Sequence, residues 1–257
     1  MSIILAIELS TDMASVALHG GESTIFRSGT CCISRQASGV QNHSQTILPM
    51  VQALLTEAGI GLSGCDAVAF GAGPGSFTGV RTACGIAQGL AYGCDLPVLA
   101  VDTLAATALA CRHATKAVRM NDILVVLDAR MGEVYWGQYR WPETIEDRER
   151  GIDNICESWE VVVSPRLSTP AAVMPVGVVT ACGNAFTVHA AALAACPIEG
   201  TCWPALMPHA SQIAILAQRL FAKGKAVTAR DAQPIYLRND IALTTAERER
   251  KQLEATV

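Results

Sequence analysis

The segment GAGPGSFTGVRTACGIAQGLAYG, residues 71–93, changes character along its length. Its first part is rich in glycine and continues from the short apolar run CDAVAFG, whereas its second part consists mostly of small and apolar residues. This order predicts a buried strand, a tight loop and a helix. Because backbone N–H groups at a helix N-terminus attract anions, the loop lies where a phosphate group could bind.

The loop lacks two specific phosphate-binding motifs. A Walker loop requires GxxxxGK[ST], but Ser76, Phe77 and Thr78 stand where that motif would end, without a lysine. A dinucleotide fingerprint requires GxGxxG, and Ser76 occupies the position of its third glycine. The loop is therefore a candidate anion or nucleotide site, with a purely structural turn as the alternative. The candidate residues are Gly73, Gly75 and Ser76.

The predicted helix after the loop has two distinct faces without large polar side chains. At about 100° per residue, one face is apolar and comprises Val80, Ala83, Cys84, Ala87, Leu90 and Ala91. The other face has almost no side chains and comprises Thr82, Gly85, Gly89 and Gly93. Each glycine costs roughly 1 kcal/mol relative to alanine, so this spacing indicates close approach of another backbone. We expect the chain's own sheet to cover the first face, and either a neighbouring helix of the chain or another protein to cover the second.

The remaining sequence predicts two α/β lobes with mixed sheets, since each half starts with strands and continues with alternating strands and helices. In the first half we expect three antiparallel strands, the third over residues 23–33, before a helix that stops at Gly59. The predicted division assigns residues 1–103 and 208–240 to an N-terminal lobe, 104–207 to a second lobe, and 241–257 to a charged tail.

Composition limits the kinds of partner. Charged residues make up 16% of the 257-residue chain, and the net charge is −4 without any basic run. This balance argues against unaided binding to nucleic acid phosphates. A chain with so few charges must hide much of its surface, within itself or against another protein.

The ten cysteines do not form a CxxC motif and lie mostly in apolar segments. Met1 and Ser2 lead directly into the strand-like segment IILAIEL, without the basic flank of a signal peptide. We therefore expect buried thiols in a reducing cytoplasm. No apolar run reaches membrane-spanning length without glycine, proline or charge.

Five segments together resemble the bacterial TsaB family, also called YeaZ: ILAIELST, HSQTILPMV, GPGSFTGVR, DARMGEVYW and PIYLRN. The resemblance extends from the first strand to about Asp240. It implies the actin-like and Hsp70-like ATPase fold, with a ribonuclease-H-like sheet in each of two lobes. It also implies an accessory role in threonylcarbamoyl transfer to the adenosine beside the anticodon of tRNAs that read codons starting with A. In this role the chain would bind and support the catalytic paralogue TsaD, and the small ATPase TsaE would also join.

The resemblance further implies that helices beginning near Ser44 and Phe77 pack against the equivalent pair of TsaD, or against a second copy of this chain when TsaD is absent. The apolar interface residues expected on the first helix are Ile47, Met50, Val51 and Leu54. Those expected on the second helix are Thr82, Gly85, Gly89 and Gly93. We expect tRNA to be bound only through the complex, ATP or ADP to be admitted at its interface, and no contact with a membrane.

The resemblance also argues against catalysis by the chain alone. In TsaD the corresponding segment carries an HxxxH pair that binds a metal ion, and Thr103 and Thr107 occupy those positions here. Threonine hydroxyls do not replace imidazoles as ligands of a catalytic metal. Glu8 stands where the family usually has an aspartate that helps place the metal of a nucleotide. We expect no catalytic residue, no metal site and no catalytic cofactor.

Two other functions stay open as alternatives. A kinase-like phosphotransferase would need an adenosine site in the second lobe, for which residues 181–186, ACGNAF, are a weak match. A peptidase would need a Ser/His/Asp or metal-ligand pattern, which the sequence does not show. Asp128, Arg130 and Glu133 form a charged group that we interpret as a hairpin fixed by internal salt bridges. We interpret His43 as a cap or surface residue of the first helix.

Overall fold

The computed structural model describes residues 2–20, 26, 29, 31–38, 43–114, 122–141, 159–198 and 202–238. Within these ranges the first lobe contains a five-stranded sheet with the order β3-β2-β1-β4-β5. Its strands are β1 (Ile4–Glu8), β2 (Met13–His19), β3 (Cys32–Ser38), β4 (Ala67–Gly73) and β5 (Val98–Asp102). The first three strands are antiparallel neighbours, and β4 and β5 continue parallel to β1.

The second sheet repeats this arrangement. Among the described residues it has the order β8-β7-β6-β9, with antiparallel pairing from β6 through β8 and parallel pairing of β9 with β6. Its strands are β6 (Asp122–Asp128), β7 (Val134–Arg140), β8 (Glu160–Ser168) and β9 (Thr180–Cys182). Two mixed sheets that share the order of their first four strands confirm the predicted α/β fold of the actin-like ATPase type.

The helices lie on both faces of the sheets. They are α1 (His43–Ala58), α2 (Phe77–Gly93), α3 (Thr103–Ala114), α4 (Ala185–Val188), α5 (Ala190–Leu193) and α6 (Ala210–Ala222). Short 3₁₀ turns occupy Leu62–Gly64 and Pro170–Ala172. Helices α1 and α2 share one apolar core with the first sheet. Helices α3 and α6 share a second core, which joins the opposite face of that sheet to the second sheet.

The central strands are the most apolar because helices cover both of their faces. All five residues of β1 and all seven of β4 are buried. The one charged residue among them is Glu8, which ends β1 at the boundary between the lobes. The glycine loop follows β4 directly, so the fold places the loop and the end of β1 side by side.

The two edge strands β3 and β8 differ from what the sequence led us to expect. The third strand runs over Cys32–Ser38 and includes the last two residues of the predicted range 23–33, most of which lies outside the described residues. The strand β8 was not predicted, because Pro165 interrupts its apolar pattern. Both strands lie at the edge of a sheet, where polar residues and proline are tolerated because one side forms no ladder.

Several expectations concern parts of the chain that are only partly described. The charged tail 241–257 lies outside the described residues, as does most of the segment between Pro142 and Glu160. The division of the chain into lobes at residues 103 and 208 stays a prediction. Across the described ranges, none of the helices combines the length and apolarity needed to cross a membrane. The described cysteines form no disulfide with one another, and those that are buried are Cys65, Cys84, Cys111 and Cys182.

Candidate partner-binding face and interlobe cleft

Helix α2 packs on the sheet through the face that its periodicity predicts. The buried residues of this face are Val80, Ala83, Cys84, Ala87 and Ala91, and Leu90 is half-buried against the same core. Ser76 caps the helix, since its hydroxyl oxygen accepts a hydrogen bond from the Gly79 N–H at 3.3 Å. Small side chains on this face let the helix lie close to the sheet.

Gly79 lies very close to the backbone that follows β1, and its role was not predicted from the sequence. A Cβ atom at this position would lie 1.9 Å from the backbone oxygen of Leu9. No side chain fits there without a shift of the backbone, so the first turn of α2 requires glycine. The available signal was that Gly79 lies beside Val80 and Ala83 on the inward face of the helix.

None of the described residues covers the opposite face of α2. At Gly85, Gly89 and Gly93, an added Cβ atom would meet no atom within 4 Å. Thr82 is partly exposed, and its hydroxyl donates a hydrogen bond to the Thr78 carbonyl oxygen at 2.9 Å. Within the described ranges no neighbouring helix of the chain covers these glycines. Of the two covers expected from the sequence, the internal one is therefore wrong for the described residues.

Aromatic and cationic side chains border this face at the N-terminal end of α2. The Arg81 guanidinium carbon lies 3.5 Å from the centre of the Phe77 ring. The Arg81 Nε donates a hydrogen bond to the Tyr236 hydroxyl at 2.8 Å. Tyr92 lies at the other end and is 84% exposed. We call the surface formed by Thr82, Gly85, Gly89 and Gly93 the glycine face.

The residues predicted as the apolar interface on α1 point the other way. Ile47, Val51 and Leu54 are buried in the core under the first sheet, and Met50 is half-buried against it. Their placement as an exposed seam is wrong, because the sheet needs the most apolar face of α1 for its own core. Leu48 is the large apolar residue that α1 exposes instead, at 50%. Helix α1 begins at His43, but the side chain of His43 lies outside the description.

A cleft of about 600 Å³ lies between the two lobes. The first lobe lines it with the turn 10–12 after β1 and with the loop and first turn of α2 at 74–78. The second lobe contributes residues 127–130 and Asn184, and the segment 235–238 closes one side. The cleft therefore lies at the carboxyl ends of β1, β4 and β6, where ligands bind in open α/β sheets.

The glycine loop packs against the turn that follows β1 and uses one of its backbone N–H donors, that of Ser76, within the chain. The Ser76 N–H donates to the Ser10 carbonyl oxygen at 2.7 Å, and a Cβ atom on Gly75 would lie 2.5 Å from the Ser10 Cβ. Gly73 has a φ angle of +101° and precedes a cis proline. The local structure therefore explains why Gly73, Gly75 and Ser76 occupy these positions. Anion binding by these residues stays a prediction.

Glu8 does not face the cleft with a free carboxylate. Its side chain is fully buried, and Oε1 accepts a hydrogen bond from the Ser10 N–H. Among the described residues Oε2 has no hydrogen-bond partner, and a Cβ atom on Gly71 would lie 1.7 Å from it. Burial raises the pKa of Glu8 to about 7. This carboxyl group therefore does not fit the role of a ligand to the metal of a nucleotide.

Thr103 begins α3, Thr107 lies one turn later, and both are fully buried. The Thr103 hydroxyl donates a hydrogen bond to the Pro74 carbonyl oxygen, and the Thr107 hydroxyl donates to the Thr103 carbonyl oxygen at 2.8 Å. The Thr103 hydroxyl thus joins α3 to the glycine loop, whereas the Thr107 hydroxyl bonds within its own helix. Asp102, just before them, accepts a hydrogen bond from the Tyr139 hydroxyl, and burial raises the pKa of Asp102 to about 6. Over the described part of the chain, no group of three or more His, Cys, Asp or Glu side chains could hold a metal ion.

The charged group after β6 is only partly internal to its hairpin. Arg130 Nε lies 3.8 Å from Asp128 Oδ2, whereas His189 Nε2 lies 3.0 Å from Asp128 Oδ1. Glu133 binds Arg238 at 2.6 Å, far along the chain. The prediction of a hairpin fixed by internal salt bridges is therefore wrong for Glu133, which ties the hairpin to the segment that follows α6.

Comparison with known proteins agrees with this geometry. The family model described as TsaD, tRNA N6-adenosine threonylcarbamoyltransferase, matches residues 33–243. The tRNA threonylcarbamoyladenosine biosynthesis protein TsaB of Escherichia coli K12 is 36% identical over 255 residues, which cover 93% of this chain and 96% of that protein. The chain belongs to the TsaB family. The TsaB protein of Haemophilus influenzae is 33% identical over 252 residues, covering 93% and 94% of the two chains.

Solved structures of similar proteins extend the match to the whole fold. YeaZ from Pseudomonas aeruginosa has a TM-score of 0.75 at 33% identity, covering 92% of this chain and 100% of that one. A second structure from the same species, described as an uncharacterized protein with similarity to peptidase YEAZ, has a TM-score of 0.76 at 34% identity and covers 93% and 100% of the two chains. The resemblance to the TsaB family seen in the sequence is confirmed.

Proposed function

We propose that the protein is an accessory subunit in the biosynthesis of threonylcarbamoyladenosine in tRNA, and that it acts by binding and supporting TsaD. The relatives named TsaB support the pathway, since they cover almost the whole chain. The observation that carries the binding role is the glycine face of α2. Three glycines at four-residue spacing weaken a helix, and nothing in the described chain packs on them.

The shape of this face favours a helix as the partner. A helix without side chains along one stripe lets a second backbone approach closely, as in pairs of helices with small residues at the contact. A second copy of the chain, or a paralogue of the same fold, would present an equivalent helix to this face. The match to the TsaD family model supports such a paralogue. We propose TsaD as the functional partner, and a second copy of the chain as its substitute when TsaD is absent.

Three features support the proposal that the chain is not an enzyme on its own. The buried hydroxyls of Thr103 and Thr107 are engaged with backbone oxygens. Glu8 is buried against its own turn. The glycine loop lacks the lysine of a phosphate-binding motif. The transfer chemistry is therefore assigned to TsaD, and the purified chain should modify no tRNA even when threonylcarbamoyl-adenylate is supplied.

The remaining parts of the proposal follow from charge and from the resemblance. The net charge of −4 favours tRNA binding through the complex rather than by the free chain. We propose that TsaE joins the complex, that ATP or ADP is admitted at its interface, and that the complex works in the cytoplasm. A salt-sensitive submicromolar affinity of the free chain for tRNA in physiological salt would contradict this assignment.

The substitution Gly89→Leu tests the proposed surface. A leucine there places a side chain between two backbones that must approach closely, and overpacking costs on the order of 1–3 kcal/mol. Because leucine is a better helix former than glycine and the position is open, the folded chain should not lose stability. We expect a melting temperature at least as high as that of the original chain by circular dichroism, with loss of TsaD binding and of tRNA modification by the mixture. A folded variant that binds TsaD as well as the original chain would show that the interface lies elsewhere.

A further inference from the structure

Arg81 is the one charged residue in the sequence of α2, and it lies beside the glycine face, one helical turn before Gly85. Its guanidinium carbon lies 3.5 Å from the centre of the Phe77 ring and 5.3 Å from that of Tyr236. Its Nε donates to the Tyr236 hydroxyl at 2.8 Å. Three contacts thus hold this exposed side chain in one orientation.

The contacts leave the outer edge of the guanidinium available. Among the described residues, neither terminal nitrogen of Arg81 has a hydrogen-bond partner, and no carboxylate lies within salt-bridge distance. A guanidinium with a free pair of N–H groups matches a carboxylate in a planar, two-bond geometry. Holding it in place beforehand reduces the entropy lost on binding. An exposed arginine fixed in this way is prepared for an anionic group from outside the chain.

We infer that Arg81 is a specificity-determining anchor, which binds an aspartate or glutamate side chain on the partner helix that packs on the glycine face. The inference rests on the proposed function, since it names the chemistry that TsaD must present at this surface. The glycines set how closely the two helices approach. Arg81 then fixes the register of the partner along α2, because it is the one charged side chain of this helix and lies at one end of the glycine face.

The same geometry disfavours a second copy of the chain as the partner. The sequence of α2 contains no acidic residue, and that of α1 contains one, Glu57. Glu57 already binds Arg35 within the chain at 2.8 Å. Helices α1 and α2 of a second copy therefore offer Arg81 no free carboxylate, and a two-fold arrangement would bring two Arg81 residues to the same interface. Arg81 thereby favours the heterodimer over the homodimer.

The substitution Arg81→Gln tests this anchor in the full chain with purified TsaD from the same organism. We expect the dissociation constant to rise by about 10- to 100-fold, as for loss of hydrogen bonds to a charged group. The homodimer, measured by sedimentation equilibrium, should not weaken, and the thermal melt should not change. Arg166→Gln is the matched control, because Arg166 is also exposed and stacks on an aromatic ring, 5.2 Å from the centre of Trp136. It should change TsaD affinity less than about twofold.

A double-mutant cycle identifies the carboxylate. Each aspartate and glutamate on the TsaD helices is replaced by its amide, and for one of them Arg81→Gln should cause no further loss of affinity. If Arg81→Gln binds TsaD normally while Gly89→Leu does not, the proposed surface stands and the anchor is wrong. If both variants bind normally, the proposed surface fails as well. If Arg81→Gln lowers only the affinity of the assembled complex for tRNA, the anchor is also wrong, since Arg81 then contacts phosphate.

Discussion

Helices α1 and α2 cover the same face of the first sheet but use their surfaces differently. Helix α1 turns its most apolar residues, Ile47 and Leu54 among them, into the core and leaves Leu48 exposed. Helix α2 covers the sheet with alanines and a cysteine and turns its glycines outward. Strong apolarity therefore marks the face needed by the chain's own core. A stripe without side chains, which the core does not use, marks the face available to another protein.

The largest effect expected from this comparison is on α1. Leu54→Ala removes a fully buried side chain from the core shared by both helices. We expect the free energy of unfolding to fall by about 4 kcal/mol, through lost burial and the cavity left behind. Leu48→Ala is the control on the exposed side of the same helix and should change it by less than about 0.5 kcal/mol. Urea unfolding measures both values, and a larger loss for Leu48→Ala than for Leu54→Ala would mean that the orientation of α1 is reversed.

The fold was predictable from the sequence wherever strands are buried on both sides. The central strands β1, β4 and β6 read as continuous apolar runs, because helices cover both of their faces. The edge strands β3 and β8 were not predictable in the same way. Their pairing is decided by the neighbouring strand rather than by their own polar and proline-containing sequences.

The candidate site was predictable where its pattern is local to one helix. The periodicity of α2 predicts the glycine face. The described residues leave this face open, as expected if another protein covers it. The contacts of Gly79 with Leu9 and of Glu133 with Arg238 were not predictable, because they join segments 70 and 105 positions apart. Spacing along the sequence carries no information about such pairs. The inward orientation of the apolar face of α1 was missed, because an apolar stripe in a sequence does not show whether it packs on the chain's own sheet or on a partner.

The opposite face of the first sheet differs from the face that α1 and α2 cover, because it buries the carboxyl group of Glu8. Burial raises the pKa of Glu8 from 4.5 to about 7, so the folded chain holds this proton more tightly than the unfolded chain. Stability should therefore fall as the pH rises from about 4.5 to 7, by on the order of 3 kcal/mol, and then level off for this group.

The substitution Glu8→Gln isolates that contribution. Glutamine keeps an oxygen for the Ser10 N–H and does not titrate. We expect the variant to gain stability over the original chain as the pH rises from 4.5 to 8, measured by urea unfolding at fixed ionic strength. Asp102, whose pKa burial also raises, to about 6, contributes with the same sign to both proteins and cancels in the difference. A difference that stays constant with pH would show that Glu8 is charged in the folded chain.

The smallest effects compare two glycines within α2, ten residues apart. Gly79→Ala places a Cβ atom 1.9 Å from the Leu9 backbone oxygen, so the helix must move off the sheet, and we expect a loss of about 2 kcal/mol. Gly89→Ala meets open space and should stabilise the chain by about 1 kcal/mol through helix propensity alone. Thermal and urea unfolding of both variants show whether the two substitutions change the stability in opposite directions. A loss of stability at Gly89 would mean that another part of the chain covers the glycine face, which would leave TsaD no room to bind there.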